Sequence, residues 1–157
     1  MTAEAAAVPV DAPPPGDIAL ADDDADIAAC FDAMRALRPQ LARDSFVARV
    51  RALQPQGYRL LARRVDGEVV CVAGFRIVDG LSRGRCLSID ELATLPAQRR
   101  RGHAAALLAW LVAHARARHC AALHLHSNYT RHAAHRLYLQ HGFVLHAHHF
   151  LRELGTP

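Results

Sequence analysis

Leu95 to Leu111 reads LPAQRRRGHAAALLAWL. Arg99, Arg100 and Arg101 run into Gly102, and an alanine- and leucine-rich helical pattern starts at once. The first turn of a helix has backbone N–H groups with no internal partner and a partial positive charge. Such an end binds phosphate. Gly102 puts no Cβ between an anion and the backbone, and Ala104 is small one step on. Guanidinium forks match phosphate oxygens. The chemistry implied is capture of an anionic ligand at a helix mouth. The pattern is Arg-x-x-Gly-x-Ala, at Arg99, Gly102 and Ala104. It is neither the G-x-x-x-x-G-K-[ST] loop of nucleoside triphosphatases nor the G-x-G-x-x-G of dinucleotide folds.

A second group of reactive side chains flanks it. Asp90 and Glu91 stand on a strand that ends in Leu92-Ala93-Thr94, just before the arginine loop. Downstream, AHRLYLQHGF from Ala134 to Phe143 carries Tyr138 on a helical pattern. The loop with Arg99, Gly102 and Ala104 resembles the pyrophosphate loop of the GNAT superfamily of N-acetyltransferases, Gln/Arg-x-x-Gly-x-Gly/Ala. The Leu92-Ala93-Thr94 strand end lies before the loop as in that family. Ala134 to Phe143 resembles the family's second signature, Ala-x-x-Leu-Tyr-x-x-x-Gly-Phe. The match runs from about Tyr58 to the C-terminus. Arg131 stands where many relatives carry Asn, so the role of that Asn passes to Asn128 or is absent.

The resemblance implies an acetyl-CoA-dependent N-acetyltransferase that moves an acetyl group directly to a primary amine of a small molecule or peptide. The rival of the same fold is a coenzyme A-binding module that transfers nothing. Acetyl-CoA is the implied co-substrate, with its pyrophosphate on Arg99, Arg100, Arg101, Gly102, His103, Ala104 and Ala105. The resemblance places the pantetheine arm along Leu92, Ala93 and Thr94. A strand whose neighbour splays away offers its free edge to such an arm. Asn128 and His135 complete the expected cofactor contacts, His135 sharing a helix face with Tyr138. Tyr138 is the implied general acid for the leaving thiolate, because a phenol keeps its proton at neutral pH. The acceptor ammonium must lose a proton before attack, and Asp90 and Glu91 are the candidate bases. By alternation Asp90 shares a face with Ser88, Leu92 and Thr94, and Glu91 lies on the side of Leu87 and Ile89. The resemblance implies a base four residues before the Thr94 position, which favours Asp90 unless a bulge swaps the faces.

These residues need a scaffold. The chain of 157 residues is long enough for one domain with a real core. Its 52% hydrophobic and 6% aromatic content makes that core aliphatic. Residues 1–17, rich in Ala and Pro, read as a disordered leader, with one N-acetyltransferase domain over residues 18–157. DIALA, Asp17 to Ala21, reads as a short first strand. Two helical patterns follow, the first capped by aspartates and the second covering RDSFVARVRAL. Asp66-Gly67 between apolar runs signals a hairpin, and Asp79-Gly80 ends its second strand. A third strand leads to Pro96. The arginine-loop helix spans residues 102–119, with Leu107, Leu108, Leu111, Val112 and Ala115 as its apolar stripe. CAALHLHS is a strand, TRHAAHRLYLQHG a helix capped by Thr130 or Asn128 and closed by Gly142, and FVLHAHHFLREL the last strand or strands. The fold class is α+β, a three-layer α/β arrangement. It is a GNAT-like acyl-CoA N-acyltransferase fold, with a mixed, mostly antiparallel sheet splayed at the cofactor and flanked by helices.

The remaining features narrow the function classes. A net charge of +4 is mild; it suits an anionic ligand, and no basic–aromatic alternation calls for nucleic acid. Cys30, Cys71, Cys86 and Cys120 stand apart in apolar runs, as buried thiols of a reducing compartment. No signal peptide or membrane-spanning run is present in the sequence, so the expected location is cytoplasmic. Eleven histidines are conspicuous. His124 and His126 share a strand face, and His126 is placed to line an acceptor pocket. No third ligand sits at a metal spacing, so no metal is expected. A homodimer is compatible with the sequence and not specified by it.

Overall fold

A computed structural model describes residues 18–155. The leader expected over residues 1–17 lies outside the described residues. Strand β1 (Ile18–Leu20) is followed by helices α1 (Asp24–Ala29), α2 (Phe31–Leu37) and α3 (Arg43–Leu53). Asp23 caps α1, accepting from the Asp26 N–H at 2.8 Å. The single helix expected here is two short ones that meet at Cys30. Phe31, Met34, Phe46 and Val50 turn inward, and the rings of Phe31 and Phe46 pack edge to face at 5.4 Å.

Strands β2 (Arg59–Val65) and β3 (Glu68–Gly80) form the hairpin predicted by Asp66-Gly67. Both turn residues have positive φ, 50° and 81°, as a two-residue turn of this hand requires. Strand β4 (Gly84–Thr94) returns antiparallel to β3, and Pro96 ends it. Helix α4 (His103–Ala117) crosses to strand β5 (Ala122–Leu125), which pairs parallel to β4. Helix α5 (His132–Gln140) follows. The sheet order is β1-β2-β3-β4-β5.

The sheet separates two cores. Helices α1–α3 cover one face over Tyr58, Leu60, Ala62, Val72 and Ala93. Helix α4 covers the other through Leu107, Leu108, Leu111 and Ala115, against Leu61, Ala73, Phe75 and Leu92. Val112 of the expected stripe is only half-buried. Each fully buried leucine contributes about 1.5–3 kcal/mol. All four cysteines are free; Cys30, Cys71 and Cys86 are buried and Cys120 is partly exposed.

The strands expected over FVLHAHHFLREL do not form. Residues 144–154 lie outside the sheet with Val144, Leu145, Phe150, Leu151 and Leu154 exposed. An apolar pattern of strand type needs an edge to pair with, and this segment takes none among the described residues.

One irregularity positions the site. Gly74 pairs with Glu91 and Phe75 pairs with Ile89, so Asp90 is an extra residue on β4. The bulge reverses the alternation beyond it. Leu87, Ile89 and Leu92 all pack on the α4 face, while Ala93 packs on the α1–α3 face. Gly74 makes this possible: a Cβ there would overlap Tyr58 Oη and Glu91 Oε2. Gly74→Ala therefore lowers stability by about 1–3 kcal/mol through overpacking. In thermal denaturation that is about 2–4 °C per kcal/mol. Tyr58→Phe in the same chain recovers part of the loss by removing the hydroxyl, and a melting temperature unmoved by Gly74→Ala would place Tyr58 elsewhere.

Candidate active site

The parallel pairing of β4 with β5 lasts from Cys86↔Ala122 to Ile89↔Leu125 and then stops. From Asp90 to Thr94, β4 continues with β3 on one side only. Leu95 N donates to Val70 O on β3 at 2.9 Å. By alternation the Ala93 backbone also faces β3, and the polar backbone groups of Leu92 and Thr94 face the open side. Of the three residues expected along a ligand, these two offer free backbone partners. The Thr94 side chain is engaged with the Cys71 thiol at 3.2 Å. Burial pushes that thiol up to about 11, so Cys71 stays protonated.

The arginine loop lies where β4 leads into α4. Gly102 is the helix N-cap with φ 80°, and Arg100 also has a positive φ of 61°. No side chain caps α4. The first helical bond is Ala106 N to Gly102 O at 3.0 Å, so the N–H groups of His103, Ala104 and Ala105 precede the ladder. A Cβ at Gly102 would meet no protein atom within 4 Å, so the space in front of it is open. Arg99, Arg100 and Arg101 are exposed and ion-pair with no carboxylate among the described residues. The His103 side chain instead turns inward. It is 7% exposed, and neither ring nitrogen has a partner. Burial, then the charges of Arg63 and Arg101, hold its pKa below the usual imidazole range. Nε and Nη1 of Arg63 are likewise buried without a partner. The helix mouth thus gathers cations and orphan donors with no anion to answer them, which is the electrostatics an entering phosphate group fits.

Where β4 and β5 part there is a cavity of about 240 Å³. Arg38, Asp90, Glu91, His126, Arg131 and Tyr138 are among its lining residues. The expectation that Asp90 and Glu91 face opposite sides fails, because the bulge turns both toward α1–α3. Asp90 Oδ2 accepts from Arg76 Nε at 2.7 Å and Oδ1 from Ser88 at 3.2 Å. Glu91 Oε2 accepts from Tyr58 Oη at 2.8 Å, and Oε1 lies 3.5 Å from Arg38. Burial foremost, and then the Glu91 charge, push the Tyr58 phenol far up, so it remains a donor.

Tyr138 is aimed by the end of its own helix. Phe143 N donates to Tyr138 O at 3.0 Å and Gly142 N to Leu139 O at 3.3 Å, with Gly142 at φ 82°. This is a Schellman closure, and its apolar contact is the Tyr138–Phe143 ring pair at 5.8 Å. Burial raises the phenol pKa while the Arg131 charge opposes it. The expected caps of α5 are not used: Arg131 is the N-cap, without a side-chain bond. Asn128 lines the cavity and binds Thr130 N through Oδ1 at 3.0 Å. The His135 ring is engaged with Asn128 O at 2.9 Å and does not reach the cavity lining. His126 lines the cavity as expected, but the acceptor side is built from α2 without tail strands. Sequence reasoning missed Arg38, Tyr58 and Arg76, which surround the two acids; nothing local to those positions signals it. Among the described residues no group of three metal-ligating side chains is placed to hold an ion, and no helix is long and apolar enough to cross a membrane.

Comparison with solved structures finds the same fold. A ribosomal-protein-alanine N-acetyltransferase from Brucella melitensis biovar Abortus superposes with a TM-score of 0.75 at 22% identity, over 88% of this chain and 99% of that one. A Trypanosoma brucei acetyltransferase gives 0.72 at 19% identity, over 87% and 98%. The aminoglycoside N-acetyltransferase AAC(6')-Iy in complex with CoA gives 0.76 at 19%, over 88% and 95%. No curated protein matches the chain. The model of the acetyltransferase (GNAT) family matches residues 26–143. With the match spanning most of its length, this chain belongs to the GNAT family of acetyltransferases.

Proposed function

We propose that the protein transfers the acetyl group of acetyl-CoA directly to a primary amine. The observation that carries this is the parting of β4 and β5. It leaves a free strand edge between a cationic helix mouth and a cleft lined by Tyr138 and two carboxylates.

The family and the CoA complex of a structural neighbour support acetyl-CoA as donor. Here the N–H groups of His103, Ala104 and Ala105, with Arg99, Arg100 and Arg101, hold the pyrophosphate. Backbone groups of Leu92 and Thr94 pair with the pantetheine amides, and the same edge stabilises charge as it develops on the thioester oxygen. Asn128, at the far wall of the cleft, completes the contacts. Tyr138 keeps its proton and can give it to the departing sulfur.

Glu91 is the better placed base. Both oxygens of Asp90 are engaged by Arg76 and Ser88, whereas Glu91 Oε1 meets only Arg38 at 3.5 Å. Asp90 then orders the bulge and its arginine. Tyr58 holds the other oxygen of Glu91, and His126 stands across the cavity.

Three outcomes test the reading. Gly102→Asp places a carboxylate at the helix mouth and reduces CoA affinity by an order of magnitude or more, whereas Gly102→Asn, which adds the same bulk without the charge, loses clearly less. Calorimetry in which Asp and Asn variants bind alike removes the pyrophosphate from this site. Tyr138→Phe keeps CoA affinity and lowers kcat on the order of 10²-fold. An unchanged kcat, with chemistry limiting turnover, takes Tyr138 out of proton transfer. Glu91→Gln lowers the rate near pH 7 and regains part of it as pH rises, because more of the amine is then already neutral. Asp90→Asn lowers the rate with little pH rescue. Paired pH–rate profiles showing the reverse assign the base to Asp90.

A further inference from the structure

A second cavity of about 140 Å³ adjoins the first, between α2, α3 and β4. Its apolar wall is Met34, Leu41, Phe46, Val50 and Leu53. Its polar groups are Arg38, Gln40, Arg49, Tyr58 and Glu91. Arg38 and Glu91 line both cavities, so the two spaces meet beside Glu91.

The charge around this route is unequal. The two linings hold three guanidinium groups, Arg38, Arg49 and Arg131, against two carboxylates. Asp90 is already paired with Arg76, and Glu91 is already held by Arg38 and Tyr58. Arg49 makes no ion pair among the described residues. An acceptor with several positive charges would meet the guanidiniums of Arg49 and Arg131, which have no carboxylate partner among the described residues. An acceptor bearing one amine and a nearby carboxylate would satisfy them, since guanidinium and carboxylate form charge-assisted pairs. The apolar wall takes an uncharged side chain and gains from excluding water. The cavity has room for an aliphatic side chain.

Resting on the transferase reading above, we propose that the acceptor is an apolar α-amino acid or a close analogue. Its amine lies at Glu91, its carboxylate at Arg38 and Arg49, and its side chain in the cavity walled by Met34, Phe46 and Val50. The transfer step is balanced within the pair of substrates. The amine nitrogen bonds to the acetyl carbon as the carbon–sulfur bond breaks. The nitrogen gives up a proton toward Glu91, the departing sulfur takes one from Tyr138, and coenzyme A leaves as the thiol.

The experiment compares L-leucine, L-leucinamide, 3-methylbutylamine and spermidine as acceptors, following thiol release from acetyl-CoA. It runs in parallel with methyl NMR of the CoA-bound protein. Met1 and Met34 are its only methionines, so a methyl-labelled methionine signal reports the cavity directly. Expected is a kcat/KM for L-leucine on the order of tenfold or more above the three others, with a shift of the Met34 methyl on adding L-leucine and none with spermidine. Arg49→Gln narrows the gap between L-leucine and L-leucinamide through KM, and Arg49→Lys restores part of it. Leucinamide or spermidine turning over as well as L-leucine overturns the proposed acceptor class, as does a Met34 methyl that L-leucine does not move. A Met34 shift with L-leucine and no thiol release from any acceptor overturns the transferase reading while the binding site for the amino acid stands.

Discussion

Everything at the site depends on β4 losing one neighbour halfway along its length. Up to Ile89 the strand is bonded on both sides; beyond it, only β3 remains. A buried strand edge without partners is costly, so such an arrangement persists where something else meets those groups. Helix α4 begins a few residues after the edge ends, with its own first N–H groups open and no capping side chain. The two sets of unanswered donors are consecutive in sequence and adjacent in space. A ligand with amides at one end and phosphates at the other answers both. The crossover that makes β5 parallel to β4 also carries α4 over the sheet, so the fold cannot build one set without the other.

The bulge at Asp90 adds the second half of the chemistry. In a regular strand, neighbouring acids point to opposite faces, and one of them would enter the α4 core. The extra residue turns both toward α2 and α3, where Arg76, Arg38, Ser88 and Tyr58 receive them. The carboxylates are thereby held apart from the arginine loop. The two acids pair with Arg76 and Arg38 on the acceptor side of β4, and the arginines of the loop stay without a carboxylate partner at the mouth of α4. Gly74 is the counterpart on β3, since only the absence of a Cβ lets Tyr58 and Glu91 meet across that strand.

What was legible in the sequence was what is encoded locally. Arg99 to Ala105 specify a helix mouth by residue type and position alone. Asp66-Gly67 specify a turn because few other pairs accept two positive φ values. Gly142 and Phe143 close α5 and set Tyr138, all within one turn of helix. The bulge was not legible, because the room for its Glu91 side chain comes from Gly74, which lies in another strand and only matters once β3 and β4 are in register. Arg38 and Tyr58 lie far from the acids in the chain and reach them through folding alone. The tail pattern was misread for a related reason. Alternating apolar residues from Phe143 onward state what a strand needs without stating which edge would accept it.

The histidines show where type and position part company. His103 sits in the phosphate motif, yet its ring is buried and only its backbone faces outward. An imidazole kept neutral by burial and by Arg63 and Arg101 fills space behind the helix mouth without adding charge that would repel those guanidiniums. His114 follows the same rule, stacked on Trp110 at 4.7 Å with its pKa lowered foremost by burial. His126 instead follows the last residue of β5 at the point of parting, in ring contact with His149 at 4.4 Å. Position at a strand end, rather than the ability to titrate, puts His126 in the cleft. A residue type that invites thoughts of metal or proton transfer thus packs against other side chains at His103 and His114 and lines the cleft at His126.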